Sequence, residues 1–337
     1  MFLQRKDLYK ELQEKRQSKL LVYVTGDRQG LETQIARDAL DYFIEHLDSI
    51  GETKKISLLL YTQGGSTLAA WSIVNLIRQF CDEFEVIVPN KAHSAGTLMC
   101  LGANIIVMTK QATLGSIDPS VNTPLNPQIP NAGPHARLPV SVEAIKGFFE
   151  LAKNELSIKD DVSLSSVLNK LADMVHPLVL GEVYRARTQI QMLAEKLLKT
   201  QVNDSDKVKK IISFLCSDSG SHDYTINRRE ARDQLGLNIE NPDDSLYSLI
   251  KRIFGDIKEE LSLNIPFDPN LFLGSNANKK YLHRRVLLES VEGGCDVFVS
   301  EGTLQRTQVQ LQPGLPPQIA VNDQRIFEGW RREHERY

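Results

Sequence analysis

Short apolar runs alternate with amphipathic stretches through the first third of this chain. Leu20-Leu21-Val22-Tyr23-Val24, Ile56-Ser57-Leu58-Leu59-Leu60-Tyr61, the stretch 84–88 and Ile105-Ile106-Val107-Met108 are dominated by aliphatic residues. Runs of this length predict strands buried on both faces. The segments between them carry helical spacing. Residues 5–17 predict a charged helix. Residues 31–49 predict an amphipathic one, because Ile35, Ala39, Phe43 and Leu47 recur at every fourth position. Residues 66–80 and 95–102 predict two more. Strand and helix in alternation predict an α/β fold with a mostly parallel sheet flanked by helices.

The pattern changes downstream. Residues 122–139 contain five prolines and no period. They predict a long loop, suited to a substrate flap, a subunit contact or a plain surface insertion. Residues 141–156 and 163–201 predict helices. The second places Leu164, Leu168, Leu171 and Val175 on one stripe and is broken at Pro177. After Asn241-Pro242-Asp243-Asp244 the character shifts again. Apolar positions alternate over 282–311 around Glu292-Gly293-Gly294, which predicts a β-hairpin. The resulting division is a main domain over 1–240 and a C-terminal accessory region over 241–337.

Candidate chemistry sits where strands hand over to helices. In His93-Ser94-Ala95-Gly96-Thr97 a serine stands between a predicted strand and a predicted helix. The free N–H groups of a helix start can stabilise a developing oxyanion. The same position also suits a serine that merely caps the helix. Gly64-Gly65 ends another strand, and a pair of glycines lets backbone approach a ligand closely. Leu114-Gly115-Ser116-Ile117-Asp118-Pro119 would bring a carboxylate to the same sheet edge.

These residues carry a resemblance. Thr62-Gln63-Gly64-Gly65-Ser66, Ala92-His93-Ser94-Ala95-Gly96-Thr97, Leu101-Gly102-Ala103-Asn104 and Leu114-Gly115-Ser116-Ile117-Asp118-Pro119 resemble the serine dehydrogenase proteinase family. That family belongs to the Clp-protease/crotonase superfamily and is similar to signal-peptide peptidase A. His176-Pro177-Leu178-Val179-Leu180-Gly181-Glu182-Val183 and Ser221-His222-Asp223-Tyr224 fit as well, so the resemblance spans roughly residues 10 to 240. It implies a spiral of ββα units and a serine peptidase that cleaves peptide or protein substrates. The chain has no G-x-G-x-x-G turn, so the word dehydrogenase in the family name implies no oxidoreductase here.

On this reading Ser94 is the nucleophile, and Ala95 N–H together with Gly65 N–H or Gly64 N–H holds the oxyanion. The base is open between candidates. In signal-peptide peptidase A it is a lysine about fifty residues past the serine, and Lys146 lies 52 residues past Ser94. The Clp-protease relationship instead implies an arrangement of Asp118 with His222, or His222 with Asp223. An imidazole titrates near neutrality and suits the role. His93 should point away from Ser94, because neighbouring side chains alternate. His176, beside Pro177, suits capping or kinking its helix and is only a reserve base. Two other functions share the scaffold: a crotonase-type acyl-CoA enzyme, and a non-catalytic scaffold or regulatory subunit.

Composition narrows the setting. Of 337 residues, 41% are hydrophobic, enough for a substantial core, and the net charge of −3 gives no case for nucleic-acid binding. Four widely spaced cysteines form no C-x-x-C pair and read as reduced thiols. No run reaches the roughly 18 apolar residues of a membrane span. The charged N-terminus lacks a signal-peptide core. The expectation is a cytoplasmic homo-oligomer that needs no metal or other cofactor.

Overall fold

The structure is a computed structural model that describes residues 1–130, 132–133, 135–218, 221, 223–309 and 318–333. It divides into two compact units, one of Met1–Leu114 with Asn227–Tyr337 and one of Gly115–Ile226.

Helix α1 (Phe2–Arg16) stops at Gln17, whose left-handed backbone turns the chain into strand β1 (Lys19–Thr25). The helix expected over 31–49 is shorter. The chain passes Ile35 in extended form, makes a single 3-10 turn over 37–39, and only then forms α2 (Leu40–Ile50). Ile35, Ala39, Phe43 and Leu47 are all buried. Ile35 is held by strand pairing, not by a helix, because it bridges Gly65 in parallel. Next come β2 (Thr53–Tyr61), α3 (Thr67–Gln79), β3 (Cys81–Val88), β4 (Lys91–Ala92), α4 (Ala95–Leu101), β5 (Ile105–Met108) and β6 (Thr113–Gly115). Ser66 caps α3, its hydroxyl accepting Ala69 N–H at 3.2 Å.

In the second unit β7 (Ser120–Val121) pairs antiparallel with β8 (Val140–Ser141) at the two ends of the proline-rich loop. Buried Asn126 braces that loop. Its Nδ2 donates to Val121 O at 2.7 Å and Leu138 O at 2.9 Å, and its Oδ1 accepts Thr123 N–H at 2.9 Å. Helix α5 (Val142–Glu150) runs into a π-helical turn over 151–155, followed by α6 (Asp161–Met174), α7 (Pro177–Leu198) and α8 (Ser205–Ser213). The expected break at Pro177 is present. Pro177 opens α7, and His176 caps it by accepting Leu178 N–H on Nδ1 at 3.2 Å. Val121, Val140, Val142, Val179 and Val183 form a small core. Helix α6 buries no residue at all.

The chain returns through β9 (Thr225–Asn227) and β10 (Ile239–Glu240) to α9 (Asp244–Glu260), α10 (Pro269–Leu273), β11 (Asn278–Ser290), β12 (Gly294–Val309) and β13 (Gln318–Arg332). The hairpin around Glu292-Gly293-Gly294 is β11–β12. It is no appendage. The main sheet has the order β10-β5-β3-β2-β1-β11-β12-β13, with β10 through β1 parallel and the last three antiparallel. Tyr23 of β1 stands opposite Leu288 of β11. The division expected at residue 240 therefore gives way to a unit in which 227–337 fold with 1–114, because β1 would otherwise expose an unpaired edge.

Helices α1 and α9 cover one face of this mixed α/β sheet over Leu20, Val22, Val24, Leu59, Ile87, Val107 and Leu287. On the other face Phe43 of α2 meets Tyr23 edge-on, ring centres 5.1 Å apart. The charged helix α1 hides a polar anchor. Arg5 is fully buried and reaches Glu289 on β11 at 2.5 Å and Glu260 on α9 at 2.6 Å.

Candidate active site

Just beyond the end of β2, Thr62 forms a parallel bridge with Ala92 of β4. Thr62 N–H donates to Lys91 O, and His93 N–H donates to Thr62 O, both at 3.1 Å. This ladder carries the Gly64-Gly65 loop up against the Ser94 turn. A Cβ on Gly64 would lie 2.8 Å from Ser94 Cβ and 3.3 Å from its Oγ, so only glycine fits. A Cβ on Gly96 would lie 2.4 Å from the Thr62 methyl.

Ser94 is half-buried and has φ 49° and ψ −114°, a conformation that L-residues avoid. It precedes the fully buried helix α4, yet its hydroxyl makes no capping bond. Capping therefore does not account for a serine here. A strained residue at a strand-to-helix turn is a device for presenting a side chain, and strain of this kind costs about 1–3 kcal/mol.

The backbone amides of the two loops differ in how they are engaged. Among the described residues neither Gly65 N–H nor Ala95 N–H donates a hydrogen bond. Gly64 N–H, the alternative to Gly65 N–H, donates to Thr62 Oγ1 at 3.0 Å, and Thr62 Oγ1 also accepts the Thr25 hydroxyl at 2.7 Å. The backbone of the glycine loop leaves one edge closed as well. Ile35 N–H donates to Gly64 O at 2.7 Å, and Ser66 N–H donates to Ile35 O at 2.8 Å. A buried strand end needs backbone partners, and the chain supplies its own.

His93 pairs its Nε2 with Thr113 Oγ1 at 2.9 Å. Asp118 and Lys146 belong to the second unit. Asp118 is buried and accepts the Ser116 hydroxyl. Lys146 lies on α5 between two carboxylates, 3.7 Å from Glu143 and 3.4 Å from Glu150. His222 lies outside the described residues. Beside it Asp223 is exposed, its N–H donating to Ser221 Oγ at 3.2 Å.

Sequence reasoning missed Thr62, Ile35, Asp27 and Lys91. One signal was available. Asp27 follows the carboxyl end of β1, where open α/β sheets gather functional groups.

A second serine stands in a hydrogen-bonded row with histidine and aspartate. His46 Nδ1 lies 2.7 Å from Ser290 Oγ, and His46 Nε2 lies 3.0 Å from Asp296. All three side chains are fully buried, Ser290 also accepts Gly293 N–H at 2.8 Å, and Arg332 pairs with Asp296 at 2.6 Å. This row braces α2 against β11 and β12. Among the described residues there is no cluster of His, Cys, Asp and Glu fit to hold a metal, and no helix long and apolar enough to cross a membrane.

Residues 1–133 match a family described as ClpP-like SDH-type serine proteinase, which bears out the resemblance read from the motifs. The match contains Gly64, Gly65, Ser94, Ala95 and Asp118 and ends before Lys146 and His222. An uncharacterized protein of Methanocaldococcus jannaschii is 30% identical over 199 residues, which make up 59% of this chain and 58% of that protein. A second from the same organism is 26% identical over 201 residues, 59% of this chain and 57% of that protein. The chain thus spans less than two thirds of the length of these curated relatives. A serine-to-alanine mutant of the 1510-N membrane-bound stomatin-specific protease aligns at a TM-score of 0.38 and 16% identity, over 63% of this chain and 77% of that one. ClpP1 from Listeria monocytogenes aligns at 0.36 and 15%, over 69% and 98%.

Proposed function

We propose that this chain is a serine peptidase of the Clp-protease class that hydrolyses peptide bonds through an acyl-enzyme on Ser94. One turn carries the reading: a strained, uncapped serine adjoins two loop amides that have no acceptor among the described residues. In the reaction, Ser94 Oγ attacks the scissile carbonyl carbon and gives up its proton to a base. The carbonyl oxygen becomes an oxyanion, received by Gly65 N–H and Ala95 N–H. Collapse expels the amine, which leaves with the proton, and water then cleaves the ester by the same route. Losing one such donor typically costs about 100-fold or more in rate.

His222, oriented by Asp118 or Asp223, is the proposed base, because an imidazole accepts and returns a proton near neutral pH. Lys146 is second, since it would have to leave Glu143 and Glu150 to act. The peptide would lie along the glycine loop on the side that Ile35 leaves open. Self-association is part of the proposal. Val162, Met174, Leu178 and Tyr184 of the second unit keep 65–77% of their surface exposed and suit contacts between copies. Four free cysteines suit a reducing, cytoplasmic setting.

The test is a fluorophosphonate probe with mass-spectrometric mapping. Labelling at Ser94, absent in Ser94→Ala, is the expected result. Folded wild-type protein that takes up no label, or takes it up at another residue, would overturn the proposal.

A further inference from the structure

Beside the candidate site three segments converge on a single carboxylate. Asp27 lies two residues beyond β1. Its Oδ1 accepts the Tyr61 hydroxyl at 2.7 Å, and its Oδ2 accepts Gln63 Nε2 at 3.1 Å and pairs with Lys91 Nζ at 2.6 Å. Tyr61 ends β2, Gln63 immediately precedes the glycine pair, and Lys91 lies on β4, three residues before Ser94. The Lys91 ammonium also lies 5.4 Å from the centre of the Tyr61 ring. Asp27 and Lys91 keep only 14% and 20% of their side-chain surface exposed, so the pair is partly shielded from solvent. Burial alone would raise the pKa of Asp27, but Lys91, Tyr61 and Gln63 together hold it below the ordinary carboxylate value. The carboxylate is therefore ionised, and the contacts are made, at neutral pH.

The location of these contacts gives them a role. The backbone bridge between Thr62 and Ala92 joins the two site loops at one point. Asp27 joins them at a second point, from Gln63 on the oxyanion side to Lys91 on the nucleophile side. Two points of attachment fix a hinge that one point leaves free. Gln63 is exposed, and among the described residues Asp27 alone accepts a hydrogen bond from its side chain.

We propose that Asp27 is a positioning residue that acts through Gln63 and Lys91 to set the glycine loop against the Ser94 turn. The proposal rests on the reading of Ser94 as nucleophile. Donors stabilise an oxyanion only within about 2.7–3.1 Å, and a misplacement of about 1 Å can cost on the order of 100-fold in rate. Tyr61 keeps an acceptor in Asp27→Asn, so the substitution removes the charge with little change of shape.

Two measurements on the full chain test this. Hydrogen–deuterium exchange should quicken in Asp27→Asn within 61–66 and 91–97 and nowhere else. Fluorophosphonate labelling of Ser94 should slow by about 10- to 100-fold. Lys91→Met should slow it similarly, Asp27→Asn with Lys91→Met should be no slower than the slower single variant, and Lys91→Arg should label faster than Lys91→Met. Unchanged exchange in 61–66 and 91–97 would overturn the clasp, whatever the chemistry at Ser94. So would exchange quickened evenly over the whole protein, which marks mere loss of stability. Wild-type protein that is unlabelled at Ser94 would overturn the proposed function, while the exchange data would still decide the clasp.

Discussion

Ser290 and Ser94 answer opposite halves of the same requirement. Ser290 has the histidine and the aspartate at hydrogen-bonding distance, but it is fully buried with its oxygen already engaged by Gly293 N–H. Ser94 has no such partner among the described residues, yet it has partial exposure, a strained backbone and two vacant amides beside it. A serine–histidine–aspartate row is cheap to form wherever buried polar groups must satisfy one another. Reaction needs access for the carbonyl and a place for its negative charge. On the proposed assignment, vacant donors mark a candidate nucleophile better than residue identity does.

The largest expected effect tests that contrast directly. Ser94→Ala should lower peptide turnover by roughly 1,000-fold or more, whereas Ser290→Ala should leave turnover per folded molecule intact. A loss of turnover in the second variant would invert the assignment. Gly65→Ala comes next. Its Cβ would lie 2.4 Å from Ile35 O at a φ of 139°, so it should cost about 2–4 kcal/mol in chemical denaturation and also displace the donor amide. His46→Ala should cost about 1–3 kcal/mol, because it removes a buried hydrogen-bond partner from both Ser290 and Asp296, while Ser94 labelling stays unchanged.

A fourth test uses another buried histidine. His283 stacks on Tyr281 and meets Phe267 and Phe272 edge-on, and its Nε2 has no partner among the described residues. Burial, with Arg28 and Arg285 nearby, lowers its pKa from 6.5 to about 4. Between those values the unfolded chain binds the extra proton, so stability must fall as pH falls from 6.5 towards 4. The slope should approach 1 kcal/mol per pH unit, and His283→Phe should flatten it in acid denaturation.

Much of the fold is legible because each parallel strand is an apolar run buried on both faces. β5 falls at Ile105–Met108, where its run predicts it. Ile35 misleads for a definite reason. It lies four residues before Ala39, so its burial by a strand bridge copies the spacing of a helix. The docking of β11 on β1 is invisible, since hydrophobic alternation predicts a hairpin but not which distant edge it will cover. Arg5 is invisible too, because a charged residue on a polar helix reads as solvated. At the candidate site, Ser94 and the glycines stand out through turn chemistry. Thr62 and Asp27 act by contacts across the sheet, which no local period records. The base is least legible. The second unit, which holds Asp118 and Lys146, contains a helix, α6, that buries nothing, so burial gives little pattern to read.

The pairing of β1 has a consequence for synthesis. Its partner on one side, β2, follows within a few dozen residues, but on the other Tyr23 waits for Leu288. A nascent chain would already contain Ser94 and both glycines while the flank of β1 was still bare. Loop closure across so long a separation is slow, and a bare flank can capture other extended polypeptide. Closure of that side of β1, and with it the setting of the candidate turn, should thus wait until β11 has been made.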